Sequence, residues 1–251
     1  MVKTEDIVNF CNQRTNMGEI EDFPGSYNGL QVSNSGEIKK IGASVDAGLI
    51  PFTKAIDLQI DFLITHHGLF WSPPIPITHV AYKKIKLCLD NNLAVYGSHL
   101  PLDCHPEIGN NSILAKKLGL EPFGKFLPFK GTDIGLITKN NQKRSQIREK
   151  LKTLFPKGFS TMEFGSDQPE KIAILTGSGQ SAIDHIIDSG ADTLITGELK
   201  QHHFNIAQEL KLNLFACGHY ATETFGVNAL AQEAANKFDL SYEFVSSECP
   251  L

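Results

Sequence analysis

No stretch of the 251 residues is apolar for long enough to cross a bilayer, which excludes a membrane-spanning reading. Basic runs are also missing. Lys83-Lys84, Lys116-Lys117 and Lys143-Arg144 are isolated pairs that read as solvated helix faces, and the formal net charge is −5. Phosphate backbones are held by clustered Lys and Arg, so a general nucleic-acid surface is not expected. Cysteine is sparse: Cys11, Cys88, Cys104, Cys217 and Cys249 are odd in number, widely scattered and form no CxxC pair, which excludes a disulfide framework. The start, Met1 to Asp6, has no apolar core and turns acidic at once, so no secretory leader is expected and a reducing cytoplasm fits. Tryptophan occurs once, at Trp71, where a base-stacking role and a packing role are both open.

Hydrophobic residues make up 41% of the chain and charged residues 20%, enough to bury a core as one large domain or two small lobes. The most informative stretch is Ile64-Thr65-His66-His67-Gly68-Leu69-Phe70. A β-branched and aromatic run ends on two adjacent histidines, and Gly68 breaks it immediately afterwards. Ligands of open α/β sheets gather at such strand ends. Neighbouring side chains on a regular strand point to opposite faces, so both imidazoles reach one site only if the backbone turns there, a turn that Gly68 would permit.

The chain also repeats itself. Lys40 to Thr65 aligns without a gap on Lys171 to Thr196, sharing the ending Asp-x-Leu-Ile-Thr, and each copy reads as strand, glycine-containing turn, helix, strand. A further strand follows in each half, Leu93 to Gly97 and Leu212 to Ala216. After those strands come His99-Leu100-Pro101-Leu102-Asp103 and His219-Tyr220-Ala221-Thr222-Glu223, so both halves present His-x-x-x-carboxylate at the same place. On a helix His219 and Glu223 would share one face. Pro101 argues against a helix interior, which puts His99 and Asp103 on a loop before a helix starting near Glu107.

His66, His67, Asp103, His219 and Glu223 thus converge as candidate ligands. Imidazole and carboxylate together suit iron, zinc, nickel or manganese, and five ligands are about right for a binuclear centre that leaves positions to water. Two ions in such a centre lower the pKa of a shared water and hold a substrate oxygen opposite it, so hydrolysis is the natural chemistry. Glu198 occupies the repeat position of His67. Cys217, close to His219, reads as a small buried strand residue, and His202 and His203 as surface residues.

Thr4 is the expected N-cap of a first helix ending near Met17-Gly18. Ser72-Pro73-Pro74-Ile75-Pro76 would form a rigid wall or lid beside the histidine corner. The prolines and glycines from Gly119 to Gly131 mark the expected lobe boundary, giving lobes at 1–125 and 126–251. Gly177-Ser178-Gly179 follows a strand and opens a helix, so its N–H groups could bind a phosphate of the substrate, although it lacks the third glycine of a dinucleotide fingerprint and the ending of a P-loop. A tight turn is the alternative.

Asn28-Gly29-Leu30-Gln31-Val32, Thr65 to Phe70, Ser98 to Asp103 and Gly218 to Glu223 together resemble the NGG-one-interacting-factor-three family, also called GTP cyclohydrolase I type 2 homologues. The likeness runs from the first helix to the C-terminus. It implies two similar α/β lobes, with parallel or mixed sheets covered by helices and a metal site between them, no extra inserted domain, and two metal ions per chain on the same five residues. It further implies a ring-shaped homo-oligomer, a hexamer. The function it suggests is hydrolysis of a nucleotide-like substrate, such as opening of the GTP imidazole ring with formate release. His99, not needed as a ligand, would then be a catalytic proton shuttle or a residue orienting a ligand. A non-enzymatic metal-binding or regulatory assembly is the rival, with a DNA-associated role third.

Overall fold

The structure is a computed structural model and describes residues 1–70 and 76–250. Trp71 and the Ser72 to Ile75 part of the expected wall lie outside the described residues. Two compact units are present, one comprising Met1–Leu102 with Gly226–Glu248 and the other Asp103–Phe225 with Cys249–Leu251. Along the first unit the chain forms β1 (Val2–Lys3), α1 (Thr4–Arg14), β2 (Gly29–Val32), β3 (Glu37–Ile38), β4 (Lys40–Asp46), α2 (Leu49–Asp57), β5 (Phe62–His67), α3 (His79–Asp90), β6 (Ala94–Gly97) and α4 (Leu100–Asp103). The second unit continues with α5 (Asn110–Leu118), β7 (Glu121–Phe129), β8 (Thr132–Lys139), α6 (Arg144–Leu154), β9 (Ser160–Glu163), β10 (Lys171–Ser178), α7 (Ile183–Ile186), β11 (Thr193–Glu198), α8 (His203–Leu210), β12 (Asn213–Ala216) and α9 (His219–Thr222). Last come α10 (Thr224–Phe238) and β13 (Ser241–Phe244).

Each unit is built on a mixed sheet covered by helices. The first has the strand order β13-β4-β5-β6-β2 and the second β7-β8-β10-β11-β12-β9 among the described residues. In both, three parallel strands make the centre and an antiparallel strand forms at least one edge. The period-2 alternation of strands sorts the core of the second unit cleanly. Ile172, Ile174, Ile195 and Phe215 face Leu114, Leu118, Ile147 and Leu151, whereas Ala173, Leu175, Leu194 and Leu214 face Ile183, Ile186 and Ala207. Helices α5 and α6 therefore cover one face, and α7 and α8 the other. In the first unit Phe52 and Cys88 from α2 and α3 pack on Leu63 and Val95. The opposite face carries Phe62 stacked on Tyr96, whose hydroxyl donates to Asn12 Oδ1 of α1 at 2.8 Å.

The two repeated segments fold as parallel βαβ units in the same register. Ile41 pairs with Phe62 and Ser44 with Thr65 in one, and Ile172 with Thr193 and Leu175 with Thr196 in the other. They diverge at the strand ends, where Asp46 pairs with His67 but a bulge brings Ser178, one residue further on, opposite Glu198. The connecting helix differs as well: α2 has nine residues, whereas a 3-10 turn at Gln180–Ala182 and the four-residue α7 stand in its place.

Several sequence expectations need correction. The unit boundary is not at residue 125. β13 pairs with β4, so the C-terminal segment returns to the first unit, and β7 pairs with β8, which places residues 103–125 in the second. The Pro122 and Pro128 stretch is strand, not boundary. An edge strand tolerates proline because its outward N–H is not needed, and a bulge lies between Pro122 and Gly124. Lys3, not Thr4, is the N-cap of α1, its N–H donating to Asp6 Oδ2 at 3.1 Å. That helix ends at Arg14, and α5 starts at Asn110. Pro101 sits inside the short helix α4, in a first turn where its missing N–H has no intrahelical acceptor to lose. His203 is buried, and its Nδ1 accepts the Lys200 N–H at 2.9 Å, so it closes the start of α8 and does not face solvent. None of the described helices is long and apolar enough to cross a membrane.

Candidate metal centre

In the first unit the central strand β5 delivers two histidines, and the chain after β6 delivers a third. Ligand atoms of His66, His67 and His99 all lie within 4.8 Å of one another. The ring centroids of His66 are 4.9 Å from those of both His67 and His99. Each imidazole is held through Nδ1 by a different neighbour. His66 Nδ1 donates to the Ser98 carbonyl at 3.0 Å, His67 Nδ1 to Asp46 Oδ1 at 2.9 Å, and His99 Nδ1 to Asp22 Oδ1 at 2.9 Å. Carbonyl and carboxylate oxygens only accept, so these bonds place the proton on Nδ1 and turn the Nε2 lone pair into the cluster. Anchoring one ring nitrogen on a carboxylate or carbonyl is how a protein orients a histidine for a metal through the other. The donor set therefore fits a divalent transition-metal ion.

His66 and His67 converge because β5 lies between β4 and β6: the first leans toward the Ser98 end of β6, and the second toward the Asp46 end of β4. Gly68 has another purpose than the expected turn. A Cβ there would overlap the Gln31 side-chain amide, whose Oε1 accepts the Leu69 N–H at 2.6 Å and whose Nε2 donates to Tyr27 O at 2.6 Å.

Asp22 is the residue that sequence reasoning missed. It lies on the turn before β2, buried to 9% exposure. Its Oδ1 meets His99, and its Oδ2 accepts the Asn28 amide at 2.8 Å and the Leu100 N–H at 3.1 Å. Burial pushes this carboxyl up, but the hydrogen bond and charge of His99, with the Asn28 and Phe23 donors, outweigh it and hold Asp22 down at about 2 against an ordinary 3.8. A depressed carboxylate stabilises the fold above its unfolded pKa and loses that contribution as pH falls through the folded value. Chelator-treated wild-type protein should therefore lose roughly 2 kcal/mol between pH 4 and pH 2, at 1.36 kcal/mol per pKa unit, that Asp22→Asn does not lose. Urea titrations at those pH values with equal slopes for both proteins would contradict the assignment.

In the second unit β12 leads through Cys217 and Gly218 into the short turn α9, which begins at His219. Cys217 is buried among the core residues, and burial pushes its thiol up to about 12. His219 Nε2 meets Glu223 Oε1 at 3.2 Å, and Nδ1 meets Glu198 Oε1 at 3.2 Å. The helix breaks at Glu223 and resumes at Thr224, which leaves the expected one-face pairing intact. The Glu223 hydrogen bond holds a proton on His219 against the opposing effect of burial, and with Glu198 it raises the imidazole to about 9. Two carboxylates that hold a proton there also suit a cation. Asp103 closes α4, and its Oδ1 accepts the Asn110 amide at 2.7 Å.

Gly177, Ser178 and Gly179 lie at the end of β10, beside this set. The Gly177 N–H donates to Thr222 Oγ1 at 3.0 Å and the Gly179 N–H to the Glu198 carbonyl at 3.1 Å, so two of the three N–H groups expected for a phosphate are engaged within the protein. Gly177 has φ +68°, and a Cβ there would overlap Glu223 Oε1 and approach His219 Nε2 at 3.3 Å. Its glycine makes room for the Glu223 carboxylate.

The Duf34/NIF3 (NGG1p interacting factor 3) family model matches residues 2–250. A Pyrococcus abyssi protein named GTP cyclohydrolase 1 type 2 homolog is 36% identical over 252 residues, covering 98% of each chain. The protein of the same name from Escherichia coli is 33% identical, covering 99% of this chain and all of that one. The crystal structure of a protein from Thermus thermophilus matches with a TM-score of 0.88 at 33% identity, covering 100% of both chains. With a family model matched from end to end and relatives of equal length, the chain belongs to the Duf34/NIF3 family.

Proposed function

We propose that the protein is a metal-dependent hydrolase of a nucleotide-like substrate, with two divalent transition-metal ions held by His66, His67, Asp103, His219 and Glu223. The observation that carries this reading is the set of imidazoles whose Nδ1 atoms are each tied to a separate oxygen acceptor and whose ligand atoms lie within 4.8 Å of one another. Bound there, the ions would acidify a water and polarise a substrate oxygen. His99 then moves the proton. Asp22 fixes its tautomer and stabilises the charge it acquires, leaving Nε2 to accept from water and return the proton to the leaving group. Asp46 and Glu198 orient His67 and His219. Relatives named GTP cyclohydrolase 1 type 2 homolog support GTP as the first substrate to try, with opening of the imidazole ring and release of formate. Incubation of metal-reconstituted protein with GTP and related purine nucleotides should release formate, and chelator should stop it. Absence of formate across that panel would leave a metal-carrying assembly as the better account. The proposal includes a cytoplasmic, ring-shaped hexamer, to be checked by light scattering.

A further inference from the structure

The second unit contains a cavity of about 590 Å³ whose lining includes His219 of the candidate metal set. Glu198 lines it as well, with its Oε1 3.2 Å from His219 Nδ1. Its other walls are of two kinds. Phe159 and Met162 give an apolar side, with Phe159 seated on Phe215 of the core at 6.3 Å between ring centroids. Lys157 and Lys200 are its cationic residues, both exposed, and among the described residues neither has an acidic partner. The lining holds two lysines against one carboxylate, Glu198, so its formal charge is positive without counting any histidine. That contrasts with the net charge of −5 on the whole chain.

The backbone around the lysines is fixed. The Lys200 N–H donates to His203 Nδ1 at 2.9 Å, and the His203 N–H donates back to the Lys200 carbonyl at 3.0 Å. Lys157 precedes Gly158, whose φ of +103° is open only to glycine and whose N–H donates to the Phe155 carbonyl at 3.0 Å. The volume is in the range of small-molecule sites, which combine apolar walls with a few placed polar groups.

We propose that this cavity seats a phosphate-bearing substrate with a flat apolar ring, the phosphate on Lys157 and Lys200 and the ring against Phe159 and Met162, leaving the reacting atoms at the His219 end. The chemistry at that end rests on the hydrolase reading, but the binding does not. The phosphate could belong to a nucleotide or be bound alone, so calorimetry on the full-length protein, with no metal added, should use GTP, tripolyphosphate and guanosine as separate probes. Wild type is expected to bind GTP and tripolyphosphate, more weakly as salt rises. Lys157→Ala/Lys200→Ala should weaken both at least tenfold and leave guanosine unchanged. Phe159→Ala should weaken GTP and not tripolyphosphate. Both lysines are exposed, so an unaltered melting temperature will show that the double variant is folded. Equal GTP affinity in wild type and the double variant, or no binding of either phosphate probe by wild type, overturns the proposal. Binding is read without turnover, so a protein that binds GTP through these lysines yet releases no formate would refute the hydrolase reading alone.

Discussion

Gly197→Ala is expected to destabilise the protein and to lose metal from the His219 and Glu223 set. Gly197 has no unusual φ; its constraint is space. An added Cβ would overlap the Gly177 carbonyl and fall 2.7 Å from Thr222 Oγ1 and 2.8 Å from the His219 Cα. Two of those atoms are backbone, so no side chain can swing away to relieve the overlap. Overpacking of this kind typically costs about 1–3 kcal/mol, which for a chain of this size lowers the melting temperature by roughly 2–4 °C per kcal/mol. The turn that must move carries His219, and the displaced Thr222 hydroxyl also accepts the Gly177 N–H at 3.0 Å, beside the Glu223 carboxylate. Differential scanning fluorimetry and metal analysis of the same preparation will check this. Wild-type values for both would show that the close approach of β11 to α9 does not place these ligands.

His99→Ala should keep its ions and its fold while turnover falls by about a hundredfold to ten-thousandfold, the usual loss on removing a general acid or base. His99 is buried to 8% exposure and Asp22 beside it is committed to four donors, so the pair is built to hold one imidazole in one orientation. Asp22→Asn should reproduce part of the rate loss, because an amide in place of the carboxylate can present its NH₂ to Nδ1 and favour the wrong tautomer. The competing role is written in the same geometry: His99 lies as close to His66 as His67 does. If His99→Ala loses metal, His99 is itself a ligand and the shuttle assignment fails. If it keeps near-full activity, it is neither.

The βαβ units and the His219–Glu223 pairing were legible in the sequence because they depend on local pattern: β-branched runs, glycine turns, a gapless internal match and the i, i+4 spacing. The adjacent histidines were legible for the same reason. What was hidden depends on contacts distant in sequence. The pairing of β13 with β4 joins Tyr242 to Ile41, and nothing in the residues 226–248 themselves says which sheet they complete. Asp22 reaches His99, and Asp46 reaches His67, across many intervening residues, so neither carboxylate stood out from surface acids. Asp46 left one trace, its position opposite His67 at the end of a paired strand. The prolines of β7 misled because Pro reads as a breaker until the strand is known to be an edge. Gly68 and Gly177 misled in another way. Their glycine identity suggested a turn and a phosphate loop, whereas the structure uses it to admit a neighbouring side chain, Gln31 in one case and Glu223 in the other.

The central claim is that the clustered imidazoles and carboxylates exist to hold metal. Elemental analysis of protein purified anaerobically, for wild type, His66→Ala and Glu223→Ala, tests it most directly. About two transition-metal ions per chain are expected in wild type, with clear loss in each variant while circular dichroism stays unchanged. Wild-type protein that takes up no transition metal, or folded variants that keep the full complement, would contradict the account.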